Sequence, residues 1–373
     1  MNPTALRADC ARYLTSKLAT AGGFSAFVGL DGFVDEIVHA VDQRENAQEY
    51  TRLPTITAFA ERVAAAAGRS TNIEMVTQRT KLGGNGPIMA NALATLGLRV
   101  TYVGALGFPN LHPVFETLAK RATVHSIAEP GYTDAAEFMD GKVMLVKSQS
   151  LGQITWENID QRLGHARFLK NFTSADLVAF VNWTMIPYMT EIWEALHKEA
   201  CPAVKGPRRK LFFDLADPEK RPDEDIARAL QLISDFQRCF DVILGVNEKE
   251  SFEIAEALGI PDKRHSPEAL SNMARAIHDK LQISTLVIHP VSYALAVSDG
   301  KVDLVHGPVI TKPVITTGAG DHFNSGFCLG KLLGFSNEMC LLAGVSTSGF
   351  YVKTGQSPEI KDLIGLMQDW PTC

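Results

Sequence analysis

Thr316-Thr317-Gly318-Ala319-Gly320-Asp321 leads straight into an apolar run, His322 to Leu333, that reads as a helix. Gly318 and Gly320 permit a tight turn and a close backbone approach to a ligand. The first amides of a helix lack internal partners, and the helix dipole adds positive potential there. A phosphoryl group is welcome at such a place. A passive Asp321 would repel it. The carboxylate is expected instead to act as a general base on an attacking hydroxyl. Phe323 and Phe327, four apart, share one face of the helix, and Gly326 and Gly330 allow close packing on a neighbour. The plainer alternative is a glycine turn into a core helix, with Asp321 as its N-terminal charge.

Outward from this stretch, short apolar runs recur at Ala26–Leu30, Val100–Leu106, Leu177–Val181, Leu211–Leu215, Val242–Val246 and Leu286–His289. Helical patterns lie between most of them, at Ile88–Leu96, Thr190–Lys198, Asp223–Phe236, Glu248–Leu258 and Pro267–Leu281. Buried strands alternating with helices predict an α/β protein with a doubly wound, mostly parallel sheet flanked by helices. Sites of such sheets lie beyond the carboxyl ends of the strands. Two regions break the rhythm. Ala135–Phe138 and Lys142–Val146 read as a β-hairpin turning at Asp140-Gly141. Residues 40–81 carry a strand-like stretch, Ile73–Thr80, and an alanine-rich helix, Ile56–Ala67. A small β lid is expected from 40–81 and 131–151, over a core of 1–39, 82–130 and 152–373.

The chain has 373 residues, 46% of them hydrophobic, which suffices for a full core and an appended part. A net charge of −6 argues against nucleic acid or an anionic membrane as the main partner. The basic cluster Lys205 to Lys210 reads as a solvated turn before a strand. The six cysteines, Cys10, Cys201, Cys239, Cys328, Cys340 and Cys373, show no metal spacing and are expected to be reduced thiols in a cytoplasmic protein. No apolar run approaches the roughly 18 residues of a membrane helix. The first residues carry charges and no apolar signal-peptide region. Leu6, Cys10, Tyr13, Leu14 and Leu18 make one helical face instead.

Further motifs accompany the GAGD turn. Gly29-Leu30-Asp31-Gly32-Phe33-Val34-Asp35 ends the first strand. Gly83-Gly84-Asn85-Gly86 opens a helix ending near Leu96-Gly97. Asn247-Glu248-Lys249-Glu250 follows another strand. In this order and spacing the chain, from about Ala26 to Pro358, resembles the ribokinase/PfkB carbohydrate kinases. The resemblance implies roles residue by residue. Asp321 matches the catalytic base, and Gly318, Ala319 and Gly320 the anion hole. Gly83, Gly84 and Asn85 match the di-glycine motif that contacts the sugar. Asn247 and Glu250 match the pair that orders Mg²⁺, water and the donor phosphates. Asp35 matches an aspartate that grips sugar hydroxyls, and Asp31 competes for that role. Thr317, His289 and Tyr293 fall on the nucleotide side. The implied reaction is phosphoryl transfer from ATP, or from ADP, to a sugar hydroxyl. A nucleoside kinase, or a ligand-binding member that does no chemistry, is the rival reading. A homodimer through the lid is the expected assembly if its strand edge pairs with a second copy.

Physics supports these roles. Sugar hydroxyls favour charge-assisted acceptors, and phosphoryl transfer needs positioning and charge stabilisation more than covalent chemistry. Asn247 would also suit plain helix capping, and Asp31 and Asp35 a strand-end turn. Three positions depart from the family pattern. Ile315 replaces an aspartate that helps build the monovalent-cation site of potassium-activated members. His289-Pro290-Val291-Ser292-Tyr293-Ala294 replaces a glycine-bearing loop beside the adenine. Ile88 replaces an asparagine in the di-glycine helix. The His-x-x-x-Tyr pattern and Gly83–Asn91 look somewhat like the ADP-dependent sugar kinases of the same superfamily.

Overall fold

The computed structural model describes residues 2–260 and 265–371. The apolar runs become the strands Ser25–Leu30, Arg99–Gly104, Leu177–Val181, Lys210–Asp214 and Asp241–Val246, paired in parallel. Their residues are buried almost end to end, as expected when helices cover both faces of a sheet. The helices Asp223–Phe236 and Pro267–Leu281 start and stop where the sequence predicts. Each buries a stripe at three- and four-residue spacing: Ile226, Ala229, Leu230 and Ile233 in one, Leu270, Met273, Ala274 and Ile277 in the other.

Among the described residues the large sheet has nine strands. Its order is Lys301–His306, Tyr293–Ser298, Thr285–Ile288, Asp241–Val246, Lys210–Asp214, Leu177–Val181, Ser25–Leu30, Arg99–Gly104 and Thr123–Ser126. The first two run antiparallel to their neighbours, and the rest are parallel. All parallel strands therefore end on one side, where the sequence motifs gather.

A second sheet is built on the long strand Phe33–Arg44. It pairs in parallel with Gly131–Phe138 and antiparallel with Met75–Gly83. Gly131–Phe138 turns into Gly141–Lys147 as the predicted hairpin, but at Met139-Asp140, one residue earlier than the expected Asp140-Gly141, because Gly141 already pairs with Phe138. The chain passes from the large sheet to the small one at Asp31-Gly32. Residues 33–39, which the sequence reading left with the core, therefore lie in the small sheet. The cause is their two apolar pairs, Phe33-Val34 and Ile37-Val38, which read equally well as a continuation of the first strand past Asp31-Gly32. The alanine-rich helix is shorter than predicted, Ile56–Ala64, and the neighbouring strand runs on to Gly83.

The first helix, Pro3–Lys17, buries Leu6, Cys10, Ala11 and Leu14. Tyr13 and Leu18, assigned to the same face, are exposed. Two of the cysteines also differ from expectation: Cys201 and Cys239 form a disulfide. The fold brings their Cα atoms to 5.7 Å across 38 positions, a proximity that no local spacing announces. Cys10, Cys328 and Cys340 are free and buried, and Cys373 lies outside the described residues. Among the described residues no helix is long and apolar enough to cross a membrane.

Candidate active site

The two competing aspartates separate cleanly. Asp31 is fully buried beyond the end of the first strand. Its carboxylate accepts hydrogen bonds from the backbone N–H of Asn85 at 2.9 Å and Gly86 at 2.8 Å, and from Asn182 Nδ2 at 2.8 Å. It satisfies the first amides of the helix Asn85–Thr95, which Gly84 has no side chain to cap. Burial pushes Asp31 up to about 6, and these hydrogen bonds oppose the rise.

Asp35 sits on the long strand of the small sheet and lines a cavity of about 350 Å³. Lys81, its cross-strand partner, brings its ammonium to 3.8 Å. Burial raises the Asp35 pKa, and the Lys81 charge opposes it. Burial in turn lowers Lys81. Gly83 makes this packing possible, since a Cβ there would lie 2.2 Å from Asp35 Oδ1. Gly84 and Asn85 line the same cavity, whereas Asp31 does not.

The GAGD turn closes the cavity from the large sheet. Gly318 takes φ +92°, which a side chain rarely tolerates, and then Ala319–Leu332 runs as a helix. The turn is braced from behind. Tyr351 donates its hydroxyl hydrogen to the Thr317 carbonyl at 2.9 Å. His322 contacts the Gly318 carbonyl through Nδ1 at 2.7 Å and Ser357 Oγ through Nε2 at 2.8 Å. The His322 and Tyr351 rings stack with centroids 3.6 Å apart. Burial lowers His322 to about 4, so the ring is neutral, with Nδ1–H donating to Gly318.

Asp321 lines the cavity at the helix start and accepts a hydrogen bond from Asn85 Nδ2 at 3.1 Å. Burial holds its pKa well above the ordinary carboxylate range, and the nearby charge of Asp214 pushes the same way. Asp214, at the end of Lys210–Asp214, escaped the sequence reading. It is buried, and it accepts from Asn324 Nδ2 at 2.9 Å and from the Ala216 amide at 3.0 Å. The available signal was positional: it is a carboxylate at the carboxyl end of a buried strand, like Asp31.

Asn247 and Glu250 form a reciprocal cap. Asn247 Oδ1 accepts from the Glu250 amide, and Glu250 Oε2 from the Asn247 amide, both at 2.9 Å. Glu250 Oε1 also accepts from the Asp217 amide at 3.0 Å. The capping alternative is therefore present, yet both residues still line the cavity. Nearby, Asp217, Glu219 and Glu253 lie close enough to share a cation, but the Lys249 ammonium already reaches all three.

Behind the turn lies a second cavity of about 460 Å³, lined by Asn247, His289, Pro290, Thr316, Ala319 and Gly320 among others. A third, of about 610 Å³, adjoins it at His289 and Pro290 and is walled by Phe252. Asn247 borders all three cavities. His289 is held near 4 by burial, its Nε2 has no hydrogen-bond partner, and its ring lies 4.8 Å from that of Phe323. Tyr293 lines none of the three. It is buried in the sheet, with its ring 6.1 Å from that of His306. Thr317 lines the first cavity and not the second.

Residues 4–370 match the family described as prokaryotic ketohexokinase. The chain belongs to that family. A ketohexokinase of Haloferax volcanii is 30% identical over 343 residues, covering 91% of this chain and 90% of that protein. This member of the ketohexokinase family is thus a carbohydrate kinase, a phosphotransferase with an alcohol group as acceptor. Its fold is that of the ribokinases. An Arabidopsis thaliana ribokinase, solved with ribose and ATP, has TM-score 0.63 and 18% identity, with 92% and 98% of the two chains covered. A Thermotoga maritima ribokinase gives 0.62 and 15%, with 92% and 99% covered.

In this ketohexokinase-family chain, Asp35, Gly84, Asn85, Asn247, Glu250, Thr317, Gly318 and Asp321 meet at one cavity. Ala319, Gly320 and His289 face the cavities behind it. Asp31 underlies the helix that carries Asn85, and Gly83 makes room for Asp35. Lys81, Asn182 and Asp214, with the lining residues Thr133, Asp217 and Lys220, are polar neighbours that sequence reasoning missed.

Proposed function

We propose that this chain transfers the terminal phosphoryl group of ATP to a hydroxyl of a ketohexose. The observation that carries the reading is the place of Asp321. Its carboxylate faces the cavity shared with Asp35, while the Gly318–Gly320 turn separates that cavity from the one behind. The acceptor sits against Asp35 and Asn85, and the donor runs from the second cavity toward the turn. Asp321 removes the proton from the attacking hydroxyl. The Gly320 amide lies at the helix start, where charge develops on the transferring group, while the Ala319 amide donates to the Thr316 carbonyl at 3.1 Å and holds the turn. The raised pKa of Asp321 suits a proton acceptor better than an ordinary surface carboxylate. The small sheet, whose Met144 and Val146 line the acceptor cavity, acts as the lid that excludes water.

The residues fit a Mg²⁺ ion. Asp214, Glu250 and Asp321 are buried carboxylates whose charges repel one another, and no lysine or arginine among the described residues pairs with them. Asn247 and Glu250 would hold the ion through water, because their oxygens each already accept one amide. Such an ion would neutralise donor phosphates. We infer a cytoplasmic location from the need for ATP.

A coupled assay over ketohexoses, aldoses and nucleosides, with ATP and ADP each as donor, tests this reading. Turnover of a ketohexose with ATP is expected. Turnover confined to nucleosides, to ADP as donor, or to no acceptor at all despite nucleotide binding would replace it.

A further inference from the structure

At the edge of the large sheet lies a cavity of about 400 Å³, lined by Thr101, Thr123, His125, Arg167, Lys170 and Asn171 together with Ala166 and sharing no residue with the cavities described above. Thr123 opens the edge strand Thr123–Ser126, and Arg167 and Lys170 project from the helix His165–Ser174. Three of these side chains are basic and none is acidic, although the chain as a whole carries −6. Among the described residues, none of the six polar side chains makes a hydrogen bond or ion pair within the protein. Another basic cavity shows the contrast. There Arg208 and Lys210 both pair with Asp241, at 2.7 and 2.6 Å.

Arg167 and Lys170 place two positive charges beside one space whose lining holds no carboxylate, so an anion there meets attraction without repulsion. Burial lowers the pKa of His125, and the charge of Arg167 lowers it further. The donor set decides the chemistry of the anion. A forked guanidinium, an ammonium, two hydroxyls, an amide and an imidazole match the several acceptor oxygens of a phosphate group. We propose that this edge cavity is a second ligand site, binding a phosphate group either free or carried on a small ester. The space admits the phosphate and a short carbon skeleton. It does not depend on the assignment of the acceptor sugar.

The probe is inorganic phosphate, and the readout is the His125 imidazole resonance of the whole ¹⁵N-labelled protein, assigned with His125→Gln. That resonance should move saturably with phosphate. In Arg167→Ala/Lys170→Ala, apparent affinity should be at least roughly tenfold weaker, the loss expected when one or more charge-assisted hydrogen bonds go. Both side chains are exposed, so the thermal midpoint and sugar-kinase turnover should hold, which shows the variant folded. Glycerol phosphate in place of phosphate separates the sources: tighter binding assigns an ester, equal binding the free ion, and either supports the site. A resonance that stays still, that shifts equally in the double variant, or that responds equally to chloride at the same ionic strength overturns it.

Discussion

Asn85 Nδ2 donates to Asp321 Oδ1 at 3.1 Å and so joins two segments 236 positions apart in the chain. The helix that begins at the di-glycine stretch thereby orients the carboxylate at the start of the GAGD helix. Asp321→Asn keeps the shape and removes the basic oxygen. Turnover should fall by at least about 10²-fold, while nucleotide binding persists in calorimetry. Unchanged turnover would remove Asp321 from proton transfer.

The same pair sets a pH dependence. A base must be deprotonated to work, and the Asp321 pKa is raised by burial and then by Asp214. Activity should therefore decline, as pH falls, at a higher pH than an ordinary carboxylate would give. The Asn85 hydrogen bond favours the charged form, so Asn85→Ala should move this acid limb to higher pH. Asp214→Asn removes a like charge and should move it lower. Shifts of the opposite sign in kcat profiles would show that another group controls the limb.

Asp31 and Asp35 should respond differently to the same change. Asp35→Asn weakens an acceptor on the cavity wall and should raise the sugar KM with little effect on thermal unfolding. Asp31→Asn leaves helix-start amides poorly served and should cost about 1–3 kcal/mol of stability. A large sugar KM effect from Asp31→Asn at unchanged stability would reverse the assignment.

His322 braces the glycine turn through Gly318 and Ser357. His322→Leu removes both contacts, and a turn displaced by a fraction of an ångström should lower kcat by roughly 10- to 100-fold. His322→Gln, which keeps a donor, should recover part of that loss without a matching change in sugar KM. Equal kcat in both variants and the parent protein would mean the turn holds itself.

Tyr293 offers a contrast with His289. Its hydroxyl is buried without a partner, so Tyr293→Phe should be neutral or stabilising in thermal melts. Tyr293→Ala should cost about 3 kcal/mol or more and leave the ATP KM alone. His289 faces the rear cavities, and its replacement by alanine should raise the ATP KM instead. A selective ATP KM effect at Tyr293 would return that ring to the nucleotide side.

Much of this was legible because it is local. The helices Asp223–Phe236 and Pro267–Leu281 carry a 3.6-residue period, and the buried strand segments Leu177–Val181 and Val242–Val246 are continuous apolar runs too short for a helix. The GAGD turn and the Asn247–Glu250 cap are likewise written in adjacent residues. Asp214, Lys81 and Asn182 were not legible, since each matters through a partner far along the chain. The disulfide of Cys201 and Cys239 was hidden for the same reason. The transfer of residues 33–39 to the small sheet was hidden differently: the apolar pairs Phe33-Val34 and Ile37-Val38, so soon after the first strand, could extend it or begin a new one.

That transfer has a consequence for selectivity. Asp35 rides on the small sheet and Asp321 on the helix Ala319–Leu332 that packs on the large one, with the crossing at Asp31-Gly32 between the sheets. The spacing of the two carboxylates is thus a ruler for how far the sheets stand apart. A molecule that spans both carboxylates sets that distance by its own size. One that reaches only the first leaves the gap unset. Under the proposed mechanism water, the smallest competitor for the phosphoryl group, is too small to span it, and discrimination against hydrolysis would rest on the dimensions of the acceptor itself.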